Sequence, residues 1–346
     1  MQYSASRLIP VSALALACAI PVTTTFAQDD PSILFIRGAE RSGGFLEAGN
    51  NDQNRTDQLA DVFDNDPSSP NRAWGTLGTV LENNGFSVTQ LIEPLEPGAP
   101  SSGGTTGSRL DLPNLNLAQY DVVVFGSNNA QYTEADADAV ESYLRGGGGA
   151  VFISDANFGG NWADASDSDQ PFLNRLGLTA NQDQGTYQVR RDTGDFLIPN
   201  HPILVGDGIS PDQVVDIFDG EGVTPVTVAD VQDLPDGVII DILANHEGNV
   251  RRNNGPDTGN QIGTSEASGP QDAALVAGTI DAGRFVWTFD RNTFFNDGGA
   301  GTDITNFDNE QYAINLFTWA ATPIPEPSTL LVVAAGSLTL LARRRR

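Results

Sequence analysis

Apolar and polar positions alternate along the chain in blocks that predict strands and helices in turn. Ser32 to Arg37 (SILFIR) is a short continuous apolar run, the pattern of a strand buried on both faces. Trp74, Leu77, Val80 and Leu81 recur at helical spacing, and Asn83-Asn84-Gly85 supplies a stop. Phe86 to Ile92 alternates as a second strand, and Tyr120 to Gly126 (YDVVVFG) is the next buried one. Thr133 is placed to cap a helix that ends in the glycines after Arg145, with Asp136 at the capping-box position. Ala150 to Ser154 (AVFIS) follows as a strand. This β-α-β-α-β order requires parallel pairing with crossover helices, and so a three-layer α/β sandwich with a mainly parallel, flavodoxin-like sheet.

The second half is less regular. Residues 157–200 are polar, with a short helix at Phe172 to Leu176. Strand patterns return at Val214 to Phe218, Val238 to Leu243, Ala273 to Ile280 and Arg284 to Phe289. Asn309 to Ala321 is a closing amphipathic helix with Tyr312, Leu316 and Trp319 on one face. Residues 93–111 and 246–271 are rich in Gly, Pro, Ser, Asn and Asp and read as long loops. No internal repeat is present.

The two ends follow a different logic. Arg7, the apolar stretch Val11 to Val22 and the small-residue site Thr25-Phe26-Ala27 form a secretory signal over residues 1–27. Cys18 within it is an alternative lipidation site. The main domain then spans residues 28–322. Residues 323–346 hold Pro325-Glu326-Pro327, an apolar run from Thr329 to Ala342, and four arginines, Arg343, Arg344, Arg345 and Arg346. A run of 14 residues makes a helix of ~21 Å against ~30 Å of hydrocarbon, so the arginines must snorkel for it to span. Positive flanks stay on the cytoplasmic side.

Charge narrows the partners. The full chain carries a formal charge of −27 and no lysine. Without Arg7, Glu326 and the four terminal arginines, 13 basic residues face 44 acidic ones, a net charge near −31. Nucleic acid is excluded as a partner, because phosphate neutralisation needs a basic face. Adhesion to anionic lipid is disfavoured on the same ground. The only cysteine is Cys18, so the mature chain has neither disulfide nor thiol nucleophile.

The tail resembles a PEP-CTERM sorting signal. That resemblance implies export by a Gram-negative bacterium, transient inner-membrane anchoring, processing by an exosortase near the Pro-Glu-Pro motif, and a mature product at the cell surface or in the extracellular matrix, with extracellular polysaccharide as a possible partner. ILFIRG, then YDVVVFG, GGGGAVFISDA, the NHPIL of Asn200 to Leu204, and GRFVWTFD together resemble the class I glutamine amidotransferase-like fold, closest to its ThuA-like branch. In that fold a nucleophilic cysteine stands after the strand that here ends at Ser154, and a His-x-Glu pair follows the last strand. This chain has Ser154-Asp155-Ala156 and Asp290-Arg291-Asn292 instead, so the amidotransferase mechanism is absent.

Ligands of open α/β sheets sit past the carboxyl ends of the strands. The chain places there Arg37 and Glu40, Ser127 and Asn128, Asp155 and Asn157, and Asp290 and Asn292. These side chains suit a hydroxyl-rich ligand such as carbohydrate. They equally suit helix caps and turns. Asp155 and Asp290 are the candidate acid and base of an alternative reading, a hydrolase acting on extracellular glycan. His201 and His246 are the only histidines available to a Ser154-based triad. Asp164, Asp167 and Asp169, and Asp297 to Asp303, are acidic runs that could hold weak extracellular calcium or be plain solvated loops. The tetraglycine Gly146 to Gly149 is no phosphate loop, since it lies between helix and strand and lacks a lysine.

Overall fold

The computed structural model describes residues 30–38, 74–93, 111–126, 132–153, 165–180, 188–191, 194–206, 216–218, 226–245, 272–289, 291–296 and 304–324. Residues 1–27 and 325–346 fall outside these residues, as do Glu40, Ser127, Asn128, Ser154, Asp155, Asn157, Asp164, His246, Asp290, Asp297 and Asp303.

Strand β1 (Ser32–Gly38) shows why the apolar run works as a central strand. Ile33 and Phe35 face one side and Leu34 and Ile36 the other, and all four are fully buried. Each such burial contributes roughly 1.5–3 kcal/mol. Helix α1 (Gly75–Asn83) and strand β2 (Ser87–Glu93) follow, and β2 returns parallel to β1 at the edge of the sheet. Strand β3 (Val122–Gly126) crosses to the other side of β1. Helix α2 (Glu134–Arg145) opens on the capping box its sequence predicts. Thr133 Oγ1 accepts from the Asp136 N–H at 3.3 Å, and Asp136 Oδ2 accepts from the Thr133 N–H at 2.8 Å. Strand β4 (Gly149–Ile153) then pairs parallel with β3.

The middle of the chain is more ordered than its polarity suggests. Helix α3 (Ala165–Asn174) buries Phe172 and Leu173, and the turn after it buries Leu176. The run holding Asp167 and Asp169 is therefore helical and not an acidic loop, and Asp169 is buried. Asp164, the first of the run, lies outside the described residues. Short strands β5 (Leu178–Ala180) and β6 (Gln188–Arg190), the single turn α4 (Pro202–Val205), and strands β7 (Asp216–Phe218) and β8 (Val226–Val228) complete this region. His201 Nδ1 accepts from the Ile203 N–H at 3.2 Å, and Pro202 sits at the first helical position of α4, so His-Pro acts as an N-cap.

Strands β9 (Val238–Asn245), β10 (Asp272–Ile280) and β11 (Gly283–Thr288) precede the closing helix α5 (Asn309–Ala321). The main sheet runs β2-β1-β3-β4-β11-β10-β8-β5, with β9 also paired to β10, while β6 and β7 form a separate pair. The first five strands are parallel and the pairs beyond β11 are antiparallel. The reversal has a local cause. Only Asp281 and Ala282 connect β10 to β11, with Asp281 at φ 50, and a two-residue connection can join only antiparallel neighbours.

Two apolar layers cover the sheet. One face packs against α1, α4 and α5, through Leu77, Leu81, Ile203, Leu204, Leu316 and Phe317. The other packs against α2 and α3, through Val140, Leu144, Phe172 and Leu173. The fold is the three-layer α/β sandwich predicted. Close approach explains the tetraglycine. A Cβ on Gly149 would overlap the carbonyl oxygen of Ala320, and Gly147 stands at φ +103 beyond the end of α2.

Candidate functional site

The parallel half of the sheet has the order 2-1-3-4-5 with β11 as the fifth strand. The order in which successive strands are added reverses between β1 and β3, the point where ligands of doubly wound sheets bind. The carboxyl ends lie in one register. Ile92, Arg37, Gly126, Ile153 and Thr288 are successive partners across β2, β1, β3, β4 and β11. Neighbouring strands are ~4.8 Å apart, so the row from Arg37 to Thr288 spans ~14 Å.

Against this row the proposed residues can be placed by position. Arg37 is in it. Asn128 follows Gly126 by two residues, Asp155 follows Ile153 by two, and Asp290 follows Thr288 by two. Asn292 lies in a 3-10 turn, Arg291–Phe294, just past β11. For Arg37 and Asn292 the backbone alone is described; Glu40, Asn128, Asp155, Asn157 and Asp290 lie outside the described residues.

Three described residues on this rim are not among the site candidates the sequence offers. Tyr312 Oη donates to Thr288 Oγ1 at 2.9 Å, with both residues fully buried, and burial holds the Tyr312 phenol well above its ordinary range. Asn296 Oδ1 accepts from the Thr76 N–H at 2.7 Å, satisfying one of the open donors at the start of α1. Arg291 is buried at the start of the 3-10 turn, its guanidinium 5.8 Å from the Phe295 ring centre. The one available signal for Arg291 was its place directly after the last strand, in a chain poor in cations.

His201 is at the other end of the sheet. Its ring is 5.2 Å from that of Trp319, whose carbonyl accepts from Arg284 Nη1 at 3.0 Å. Arg284 pairs with Gly149, the first residue of β4, whereas Ile153 is the last. Four strand residues separate those levels, ~13 Å. His201 is therefore not placed to serve as base for a nucleophile following Ile153. Its Nδ1 is committed to the Ile203 N–H. Burial pushes its pKa down to about 4, with Asp241 opposing that shift and Arg284 adding to it.

An open groove of about 380 Å³ lies elsewhere, between the end of α3 and the β5–β8 pair. It is lined by Asn174, Thr179, Thr227, Asp230 and Asp233 among others. Among the described residues, no three His, Cys, Asp or Glu side chains group as a metal site. Nor is any helix among them long and apolar enough to cross a membrane.

No curated protein matches the chain. In fold it is similar to a cytoplasmic protein, STM3548, from Salmonella typhimurium, at 15% identity and a TM-score of 0.41, covering 83% of this chain and 98% of that one. It is similar also to a ThuA-like protein from Parabacteroides merdae, at 16% identity and a TM-score of 0.40, covering 84% and 90%. A ThuA-like protein from Bacteroides uniformis gives 12% identity and a TM-score of 0.40, covering 86% and 94%. The fold class itself rests on the strand order and layers above. Residues 323–346 match the PEP-CTERM protein-sorting motif, so the chain carries a C-terminal signal for export and sorting to the cell surface of Gram-negative bacteria.

Proposed function

We propose that the exported domain is catalytically degenerate and binds a polar ligand such as carbohydrate past the carboxyl ends of β1, β3, β4 and β11. The observation that carries this reading is the single register row, Arg37-Gly126-Ile153-Thr288, at a strand-order reversal. The sequence around that row supplies Glu40, Asn128, Asp155, Asn157, Asp290 and Asn292, all hydrogen-bonding groups. It supplies no cysteine, and the described histidine is at the other end. Processing by an exosortase-type enzyme near Pro325-Glu326-Pro327 would release the domain from a transient inner-membrane anchor, to associate with extracellular polysaccharide. Weak calcium binding outside the cell is compatible with the acidic surface, with no ligand set assigned.

One observation favours a second reading. Asp155 and Asp290 each stand two residues past Ile153 and Thr288, which are register partners on adjacent strands. Two carboxylates near one another are the equipment of a glycoside hydrolase. A glycan-array and hydrolysis screen of residues 28–322 separates the readings. Binding without turnover, lost in Asp155→Ala, supports the first. Turnover abolished by both Asp155→Ala and Asp290→Ala replaces it with the second.

A further inference from the structure

We infer that, while the sorting tail is in the membrane, the domain stands with the amino ends of its parallel strands toward the bilayer and its carboxyl-end crevice facing away. The inference rests on the reading that residues 323–346 anchor the chain before processing.

The direction of α5 carries it. The helix begins beside the carboxyl ends, where Tyr312 meets Thr288, the last residue of β11. It ends beside the amino ends, where the Trp319 carbonyl meets Arg284 and the Ala320 carbonyl packs on Gly149. The chain therefore leaves the domain from the amino-end face. The entering chain uses the same face. Pro31 precedes β1 there and its carbonyl accepts from the Ser87 N–H at the start of β2. Both hydrophobic end segments thus connect through one side of the molecule.

Length makes the orientation binding. Seven residues, 322–328, separate the end of α5 from the apolar run that starts at Thr329. Fully extended they reach ~25 Å. A domain of this size is about 45–50 Å across by the usual scaling of radius with length. The tether is too short to let the domain turn its far side to the lipid. Three of the seven are proline, a composition that favours an extended, semi-rigid connection.

Surface chemistry agrees with tethering and not with adsorption. The exposed residues of this face include Asn84, Ala118, Gln119 and Asp281. Of its cations, Arg145 is held by Asp281 at 2.7 Å and Glu141 at 2.8 Å, and Arg284 donates to the Trp319 carbonyl at 3.0 Å. Such a face has no attraction for anionic headgroups. The crevice would consequently be open to solutes before release as well as after it.

Two exposed alanines report the two ends. Ala118 lies in the turn just before β3, and Ala135 lies in the first turn of α2, just after it. In the full chain with Cys18→Ser, Ala118→Cys and Ala135→Cys each give one site for a fluorescent donor. Each protein is reconstituted into vesicles of zwitterionic phospholipid carrying a headgroup acceptor, and energy transfer gives the height of the label above the membrane. The Ala118 label should sit closer by roughly 15 Å, the length of a five-residue strand. Equal heights, or a closer Ala135 label, overturn the orientation while leaving the anchor intact. Failure of the protein to float with the vesicles overturns the anchor and the orientation together. Circular dichroism matching that of the Cys18→Ser parent verifies that both variants are folded.

Discussion

The phenol of Tyr312 donates a 2.9 Å hydrogen bond to the hydroxyl of Thr288, joining the first turns of α5 to the last residue of β11 in a fully buried layer at the carboxyl ends of the strands. The Tyr312 ring also stacks on Phe294, 6.0 Å away, in the 3-10 turn that follows Asp290. This bond fixes the floor of the candidate site. Tyr312→Phe should destabilise the domain by about 1–2 kcal/mol, because a buried hydroxyl loses its donor. Thr288→Val alone should cost a similar amount. The double variant should cost less than the two together, as coupled partners do. Urea unfolding of the four proteins measures this.

Asn296 binds the start of α1 from the far end of the chain. Its Oδ1 accepts from the Thr76 N–H, and no side chain at Trp74 does that work. Asn296→Ala should cost about 1 kcal/mol, within the range for a lost cap. Asn296→Asp should retain most of the stability. Shifts in thermal midpoint between the three proteins test both statements.

His201 gives the fold an acid-sensitive point. It takes up its proton near pH 4 when folded and near 6.5 when unfolded. Between those values the unfolded chain binds more protons, so this residue's share of stability is lost as pH falls from about 6.5 to 4. The loss is at most ~3 kcal/mol, reduced by whatever solvent reaches the ring. His201→Asn keeps an acceptor at the N-cap of α4 and cannot titrate there. Urea midpoints at pH 7 and 4.5 should fall further for the parent than for His201→Asn. Equal falls would remove His201 from the explanation.

Gly149→Ala tests the packing of the strand's amino end against α5. The added Cβ meets the Ala320 carbonyl, a backbone atom that cannot swing aside. A loss of more than 2 kcal/mol is expected. Gly85→Ala is the contrast. Nothing lies near its Cβ, and its φ of +84 leaves only backbone strain of about 1 kcal/mol.

Most of the parallel half was legible because burial on both faces writes itself as uninterrupted apolar runs. ILFI, VVVF and AVFI need no partner to be recognised. The Thr133-Asp136 box was legible because its chemistry is local, and α5 because its apolar face repeats. In the second half β9 and β10 were legible by the same apolar pattern, but the shortest strands were not. Strands β5, β6 and β8 are three residues long, below the length at which alternation can be seen. Helix α3 begins earlier than the Phe172 start its apolar residues suggest, since the acidic run with Asp167 and Asp169 reads as loop. The Tyr312–Thr288 and Asn296–Thr76 bonds join residues 24 and 220 apart, a distance no local pattern encodes.

The central claim is that ligand binds past the carboxyl ends of the parallel strands. Amide hydrogen exchange of residues 28–322, with and without oligosaccharides selected on a glycan array, addresses it without any mutation. The account predicts new protection in peptides following Gly38, Gly126 and Ile153, and none around Ala118, Arg145 or Asp281. Protection confined to the amino-end turns, or to the groove beside Asp230 and Asp233, would contradict it.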